Sequence, residues 1–322
     1  MTHTLAIGVD LGATKIASAL ITDEGQVLRT QQTATSPELG SQRVLDEIAD
    51  SVNDLIGTAL ETGLELKGIG VGSPGQIDPV QGCVQNAVNL GWKKVPLVAE
   101  LKARLKQPFP IWLQKDANAS TLGEYYLGAG KGCQDFVFLS VGSGLGGGLL
   151  TAGRLVTGAS GSAMEVGHIS LDPEHGRMCN CGIRGCAETF ASGPGLVAVT
   201  RDLLAKGEKS SMLQDDFSLT PARIVQALEA HDLLAMKAVE QVGSALGQIA
   251  AMCATLANPA RVIIGGGLGL AIFEHLKRRV QNEISRRVFS GASCEVEVLP
   301  SQLATSAAGP ACLVWYGLDS GG

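Results

Sequence analysis

The sequence predicts an α/β protein of about two domains, on three observations. Its 322 residues are roughly twice the length of a common single domain. Short apolar runs that end in glycine alternate with segments of helical periodicity. A strand–glycine turn–strand unit, IGVDLGATKIASALI, has a loose counterpart about 130 residues later in LSVGSGLGGGLLTAG, which suggests two related halves.

Leu5 to Val9 is a short apolar run before glycine and reads as a strand, and Lys15 to Ile21 as a second. Asp23-Glu24-Gly25 is a turn, followed by a third strand from Gln26 to Thr33. Between Ser41 and Leu60, Val44, Leu45, Ile48, Val52, Leu55, Ile56 and Ala59 recur at helical spacing. Lys67 to Val71 is a buried strand ending in Ser73-Pro74-Gly75. Pro96 opens a helix, being favoured in the first turn. Ile111 to Gln114 is a short strand leading into Lys115-Asp116. Phe136 to Val141 is a strand, Gly142 to Gly148 a turn, and Leu149 to Val156 a strand. A long helix runs from Asp232 to Ala257, with Val239, Val242, Leu246, Ile249, Cys253 and Leu256 on one face, and Asn258-Pro259 stops it. Arg261 to Ile264 is a strand, Gly265-Gly266-Gly267 a turn, and Ala271 to Arg287 a helix. Cys294 to Leu299 is a strand and Ser306 to Gly317 a last helix. No low-complexity linker separates the halves, so a hinge is expected rather than a tether.

The 42 glycines are about 13% of the chain against a usual content of about 7%, without a collagen period. Net charge is −6 and no basic stripe is visible, which argues against a duplex nucleic-acid partner. An anionic ligand is still compatible, because backbone amides bind one locally. The N-terminus lacks the basic start and long apolar region of a signal peptide, and no run approaches the ~20 apolar residues of a membrane helix. A soluble cytoplasmic protein is expected. Of the eight cysteines, three crowd into residues 179–186; thiols and metal ligation are expected rather than a disulfide framework.

Three segments carry chemistry. Glu165-Val166-Gly167-His168 is followed by Cys179, Cys181 and Cys186, so one His and three Cys offer a tetrahedral N/S set suited to zinc. Four protein ligands make a closed, structural site. The alternative is ordinary buried thiols beside an unrelated His. Cys83, Cys133, Cys253, Cys294 and Cys312 read as small core residues. The second signal is three glycine turns, each after a strand, at Asp10–Thr14, Gly142–Gly148 and Gly265–Gly267; glycine lets backbone N–H groups approach phosphate oxygens, although hairpins need glycine too. Gly142 to Gly147 also fits G-x-G-x-x-G, but a strand rather than a helix follows, so the dinucleotide context fails, and a Walker A sequence is absent. The third is Asp116, at a strand end: a carboxylate able to take a proton from an attacking hydroxyl, or else a helix N-cap.

Together these residues resemble the ROK family of sugar kinases. E-x-G-H followed by C-x-C-G-x-x-G-C-x-E is matched from Glu165 to Glu188, D-x-G-x-T-K by Asp10, Gly12, Thr14 and Lys15, N-L-x-W from Asn89 to Trp92, and D-A-N by Asp116-Ala117-Asn118. Gly142-Ser143-Gly144 resembles the second phosphate turn, with Ser where Thr is usual. The resemblance implies a two-lobed actin-like (Hsp70-like ATPase) fold with a cleft between lobes. Residues 1–115 would form the N-terminal lobe, with a helix near 304–318 packing back on it, and 116–303 the C-terminal lobe with its zinc segment 165–188. By the same resemblance Asp116 is the general base for the 6-hydroxyl of a hexose. Asp10 helps position Mg²⁺; Gly12, Thr14, Lys15, Gly142, Ser143 and Gly144 lie near the phosphates of ATP, and Gly265, Gly266 and Gly267 near the adenosine. Gly75, Asn89, Glu165, His168 and Glu188 bind the sugar, while His168, Cys179, Cys181 and Cys186 hold a structural Zn²⁺.

Two departures bear on substrate. Lys115 stands where Asn is usual; a cation there would lower the pKa of Asp116 or contact an altered substrate, whereas alternation along the strand would turn it to solvent. Met164 replaces a common glycine. Glucose is the first expected substrate, with N-acetylmannosamine, N-acetylglucosamine or a cyclitol as alternatives. A catalytically silent sugar-binding or regulatory member is the rival class. A DNA-binding repressor is disfavoured, because the first strand starts by Leu5. The resemblance further implies a homodimer or homotetramer, with no nucleic-acid or membrane partner.

Overall fold

The computed structural model describes residues 3–213, 219–289 and 296–319. The chain divides into two compact units. One comprises Met1–Gly132, Leu155–Ala163 and Gln302–Gly322, the other Cys133–Arg154 and Met164–Ser301.

The first unit begins with β1 (Thr4–Leu11), β2 (Lys15–Thr22) and β3 (Val27–Ala34), then α1 (Ser41–Thr62) and β4 (Glu65–Ser73). Three short strands follow, β5 (Gln76–Asp78), β6 (Cys83–Ala87) and β7 (Trp92–Val95). Then come α2 (Leu97–Arg104), β8 (Ile111–Lys115) and α3 (Asp116–Leu127). Its main sheet has the order β3-β2-β1-β4-β8, and β5, β6 and β7 make a separate small sheet. Alternation along β1 separates two cores. Leu5, Ile7 and Val9 join Val44, Leu45, Ile48, Val52 and Leu55 of α1. Ala6 faces the opposite way, onto Ala307, Ala311 and Val314. Each fully buried Leu, Ile or Val contributes about 1.5–3 kcal/mol.

The second unit contains β9 (Phe136–Val141), β10 (Leu145–Thr151), β11 (Arg154–Leu155), α4 (Gly193–Ala205), α5 (Pro221–Glu229) and α6 (Leu233–Ala257). It continues with β12 (Arg261–Gly265), α7 (Gly267–Ala271), α8 (Phe273–Arg287) and β13 (Glu297–Pro300), after which α9 (Ala308–Asp319) belongs to the first unit. The sheet order is β11-β10-β9-β12-β13. In each main sheet a central strand pairs antiparallel with the strand that follows it and parallel with a later one: β1 with β2 and β4, β9 with β10 and β12. The loose sequence similarity therefore corresponds to a shared topology.

The unit boundary falls at Gly132/Cys133, not at 115/116. The reason is that α3 packs on α9 and β4: a Cβ on Gly123 would lie 2.7 Å from the Cα of Gly309, and one on Gly72 would lie 3.5 Å from Ala119 Cβ. The α9 helix in turn lies against β1 and β4 so closely that a Cβ on Gly8 or Gly70 would fall 1.9 Å or 1.8 Å from the carbonyl oxygens of Ala307 and Pro310. Alanine at either position would force the helix off the sheet.

Other boundaries differ locally. β10 starts at Leu145, so Gly146, Gly147 and Gly148 are strand residues and the turn is only Gly142–Gly144; Gly147 lies under Val166, whose Cγ2 would sit 2.8 Å from a Cβ there. Pro96 is the residue before α2 rather than its first member. The helix expected from Ala271 is split at Ile272 into α7 and α8. Leu256 is 86% exposed, off the apolar face of α6. The Gly193-Pro194-Gly195 run, a breaker by composition, opens α4 because Ser192 Oγ accepts from Gly195 N–H at 3.0 Å and Pro suits a first turn. Cys83, Cys133, Cys253 and Cys312 are buried, and Cys294 lies outside the described residues. No described helix is long and apolar enough to cross a membrane.

Candidate active site and metal centre

In the first unit the parallel neighbours β1, β4 and β8 end on one sheet edge, where loops collect ligands in open α/β sheets. Asp10 pairs with Gly72 in β4, and Ser73 pairs with Lys115 in β8. Asp10 is therefore level with Gln114 across β4, and Asp116 follows two residues further along, just past the end of β8. Gly75 follows β4 and abuts the carbonyl of Asn86 in the small sheet. Asn89 is exposed in the single turn Val88–Leu90, above buried Leu90 and Trp92.

Asp10 is partly buried. Burial raises its pKa above the ordinary carboxylate value, opposed by a hydrogen bond from the Ser306 hydroxyl and by the charge of Lys15. Gly12 and Thr14 make the turn into β2, whose first residue is exposed Lys15. Gly12 N–H donates to Lys15 O at 2.9 Å, and the Thr35 hydroxyl donates to Gly12 O at 2.8 Å. Thr35 and Ser306 thus shape this edge. Neither carried a local signal, since Ser306 lies almost 300 residues from the aspartate it meets.

Asp116 is the first residue of α3, and its Oδ1 accepts from Ala117 N–H at 2.7 Å. It is not the N-cap, which is Lys115. That N–H holds the carboxylate in one orientation at the start of the helix. Lys115 does not turn to solvent: it is 5% exposed, and its Nζ donates to Ala163 O at 3.2 Å.

In the second unit β12 runs parallel to β9 with Gly265 opposite Ser140, so the turns Gly142–Gly144 and Gly265–Gly267 share one edge of that sheet. Gly265 ends β12, Gly266 precedes α7 and Gly267 is its first residue. Gly142 N–H donates to Gly144 O at 2.9 Å, and Gly193 N–H to Gly142 O at 2.7 Å. No acceptor among the described residues takes the N–H groups of Ser143 or Gly144, which suits them to phosphate oxygens. Glu188 Oε2 accepts from Leu145 N–H at 2.9 Å. Met164 has a left-handed backbone, φ 62°, at the position where the family resemblance expects glycine.

His168, Cys179, Cys181 and Cys186 come together with all ligand atoms within 4.8 Å of one another. The Cys181 and Cys186 sulfurs are 3.6 Å apart, and Cys179 Sγ is 3.8 Å from His168 Nδ1. Tetrahedral zinc with Zn–S near 2.3 Å sets neighbouring sulfurs roughly 3.8 Å apart, so the donor set fits zinc in both chemistry and spacing. Burial, then hydrogen bonds that the Cys186 thiol makes to Cys181 and Cys179, push it up to about 12; a bound divalent ion would reverse that logic. Nδ1 is the ring nitrogen that joins the cluster, which leaves Nε2 for another partner. Glu165 is exposed immediately before the turn that carries His168.

Comparison with known proteins agrees with this geometry. The ROK family profile matches residues 6–315. A glucokinase of Halalkalibacterium halodurans is 33% identical over 300 residues, 91% of this chain and 90% of that protein. A xylose repressor of Caldicellulosiruptor bescii is 30% identical over 309 residues, 95% of this chain and 76% of the repressor. A solved ROK family glucokinase from Streptomyces griseus, in complex with glucose and AMPPNP, is 29% identical with a TM-score of 0.83, covering 97% of this chain and 100% of that one. The architecture is the mixed α/β, actin-like ATPase fold of these sugar kinases. On the sequence, the sheet topology and these matches, the chain belongs to the ROK family.

Proposed function

We propose that the protein is an ATP-dependent sugar kinase that phosphorylates the 6-hydroxyl of a hexose, glucose first among them. The observation that carries the reading is Asp116, opening a helix at the carboxyl edge of the parallel strands β1, β4 and β8, the same edge at which Asp10 lies. The glucokinase relatives support the same reading.

Phosphoryl transfer depends on alignment and charge neutralisation more than on covalent help. The sugar oxygen attacks the γ-phosphorus, the bond from that phosphorus to the β–γ bridging oxygen breaks, ADP leaves, and the hydroxyl proton passes to Asp116. Ala117 N–H holds Oδ1 and so orients the carboxylate. Asn89, Glu165, His168 and Glu188 would bind sugar hydroxyls, with Gly75 allowing close approach. Thr14, Lys15, Ser143 and Gly144 would lie along the phosphates, and Gly265–Gly267 near the adenosine. Mg²⁺, when bound with the nucleotide, neutralises phosphate charge, and Asp10 would help hold it. His168, Cys179, Cys181 and Cys186 would hold zinc as a brace for the sugar-binding wall rather than as a reactant.

The test is ADP release with ATP-Mg and glucose, mannose, N-acetylglucosamine, N-acetylmannosamine, allose and cyclitols. Stimulation by a hexose supports the reading, and the best substrate identifies the sugar. Binding of a sugar with no stimulation by any would favour a regulatory member, a reading for which the repressor relatives and buried Lys115 speak.

A further inference from the structure

The turn at Gly142–Gly144 and the segment that follows the Cys/His cluster are joined by two short hydrogen bonds that a sugar-binding role of that segment does not require. Leu145 N–H, at the exit of the turn, donates to Glu188 Oε2 at 2.9 Å. Gly142 O, at its entrance, accepts from Gly193 N–H at 2.7 Å. Both partners follow closely after Cys186, the last sulfur of the cluster. The intervening segment is held rigidly. Ala187 N–H donates to Ile169 O at 2.9 Å, beside His168, and Thr189 donates to Cys186 O from both its N–H (2.9 Å) and its hydroxyl (2.7 Å). Ser192 Oγ donates to Glu188 O at 2.7 Å, and the Arg177 guanidinium donates to Thr189 O at 2.9 Å while lying over the Phe190 ring. The contact at Glu188 is close-fitting as well. A Cβ on Gly144 would lie 2.5 Å from Glu188 Oε2, so the carboxylate occupies the space beside the turn's last residue.

We propose that Glu188 is a positioning residue for the nucleotide side of the reaction, transmitting the shape of the Cys/His loop to the Gly142–Leu145 turn. Oε2 fixes the turn, and Oε1 is the oxygen left for a sugar hydroxyl. One carboxylate then touches both substrates' binding elements, and the ion held by His168, Cys179, Cys181 and Cys186 acts on nucleotide affinity as well as on the sugar wall. This rests on the kinase reading, in which the N–H groups of Ser143 and Gly144 meet phosphate oxygens.

Calorimetric titration of ADP-Mg into the protein without sugar tests it. Glu188→Ala should weaken ADP about tenfold, the scale of one hydrogen bond to a charged group. Glu188→Gln keeps an oxygen acceptor for Leu145 N–H and should stay within about threefold of the parent. Stripping the metal with a chelator should weaken ADP in the parent, in the same direction as Glu188→Ala, and readdition of Zn²⁺ should restore it. A purely sugar-binding role would leave ADP affinity unchanged in Glu188→Ala and in the stripped protein, and that result overturns the proposal. So would equal losses in the Gln and Ala variants. If Glu188→Ala does not fold, the stripping and readdition series decides. Failure of the parent to bind ADP-Mg at all would remove the kinase reading itself, an outcome distinct from unchanged affinity in the variants.

Discussion

At the scale of single residues, the proposed chemistry centres on Asp116 and its neighbour Lys115, which sit in different surroundings. Asp116 was readable as a base or as a helix cap; the structure places it as the first residue of α3, after Lys115 at the cap, with one oxygen held by Ala117 N–H. That bond orients the carboxylate without neutralising it. Asp116→Asn keeps the shape and loses the proton acceptor. Turnover should fall about 10²–10⁴-fold, the usual worth of a general base, while sugar affinity measured by calorimetry stays within a few-fold. Near-normal turnover in this variant would remove the assignment. For Lys115, alternation along a strand predicted which way the side chain points relative to its neighbours, but not what covers that face. The covering segment arrives 48 residues later, at Ala163, and encloses the ammonium.

At the scale of elements, the Cys/His loop is the part most legible in the sequence. His168 and the three cysteines span 19 residues, and glycine at 182 and 185 lets the intervening chain turn back on itself, so local spacing nearly determines the cluster. About one zinc per chain is expected by elemental analysis of purified protein, lost in Cys181→Ala together with a lowered melting temperature. Absence of metal from both proteins would contradict the assignment. The glycine turns were legible only in part. Composition located the turn at 142, but its end was set by the antiparallel register of β9 and β10, which pairs Leu145 with Val141. Likewise α4 was hidden behind Gly-Pro-Gly, and β5, β6 and β7 were too short to show periodicity.

At the scale of the whole molecule, buried carboxylates set the acid limit of stability. Burial pushes the Asp232 and Glu283 pKa values up, but hydrogen bonds from Ser210, Ala235, Ser211 and Leu234 to the one, and Arg287, Arg279 and Arg286 beside the other, outweigh it and hold both below their ordinary values. Their folded forms therefore bind protons less readily than the unfolded chain. The stability they add is complete above the ordinary values of 3.8 and 4.5 and disappears as pH falls through the lower folded ones. Melting temperature should hold near neutral pH and drop steeply below about pH 4, and Asp232→Asn should flatten part of that drop. An unchanged acid slope in the variant would assign the effect elsewhere. The sequence by itself determined the α/β class, the two related sheet units, the clustering of His168 with three cysteines and the family, because each depends on patterns a few residues long: apolar periodicity, glycine after a strand, sulfur spacing. Only the tertiary structure decided that α3 joins the first unit, that Ser306 meets Asp10, that Lys115 is buried and that Glu188 grips the Gly142–Leu145 turn. Each of those rests on a contact between segments far apart along the chain, and the identity of such a partner is fixed by packing, which no local pattern encodes.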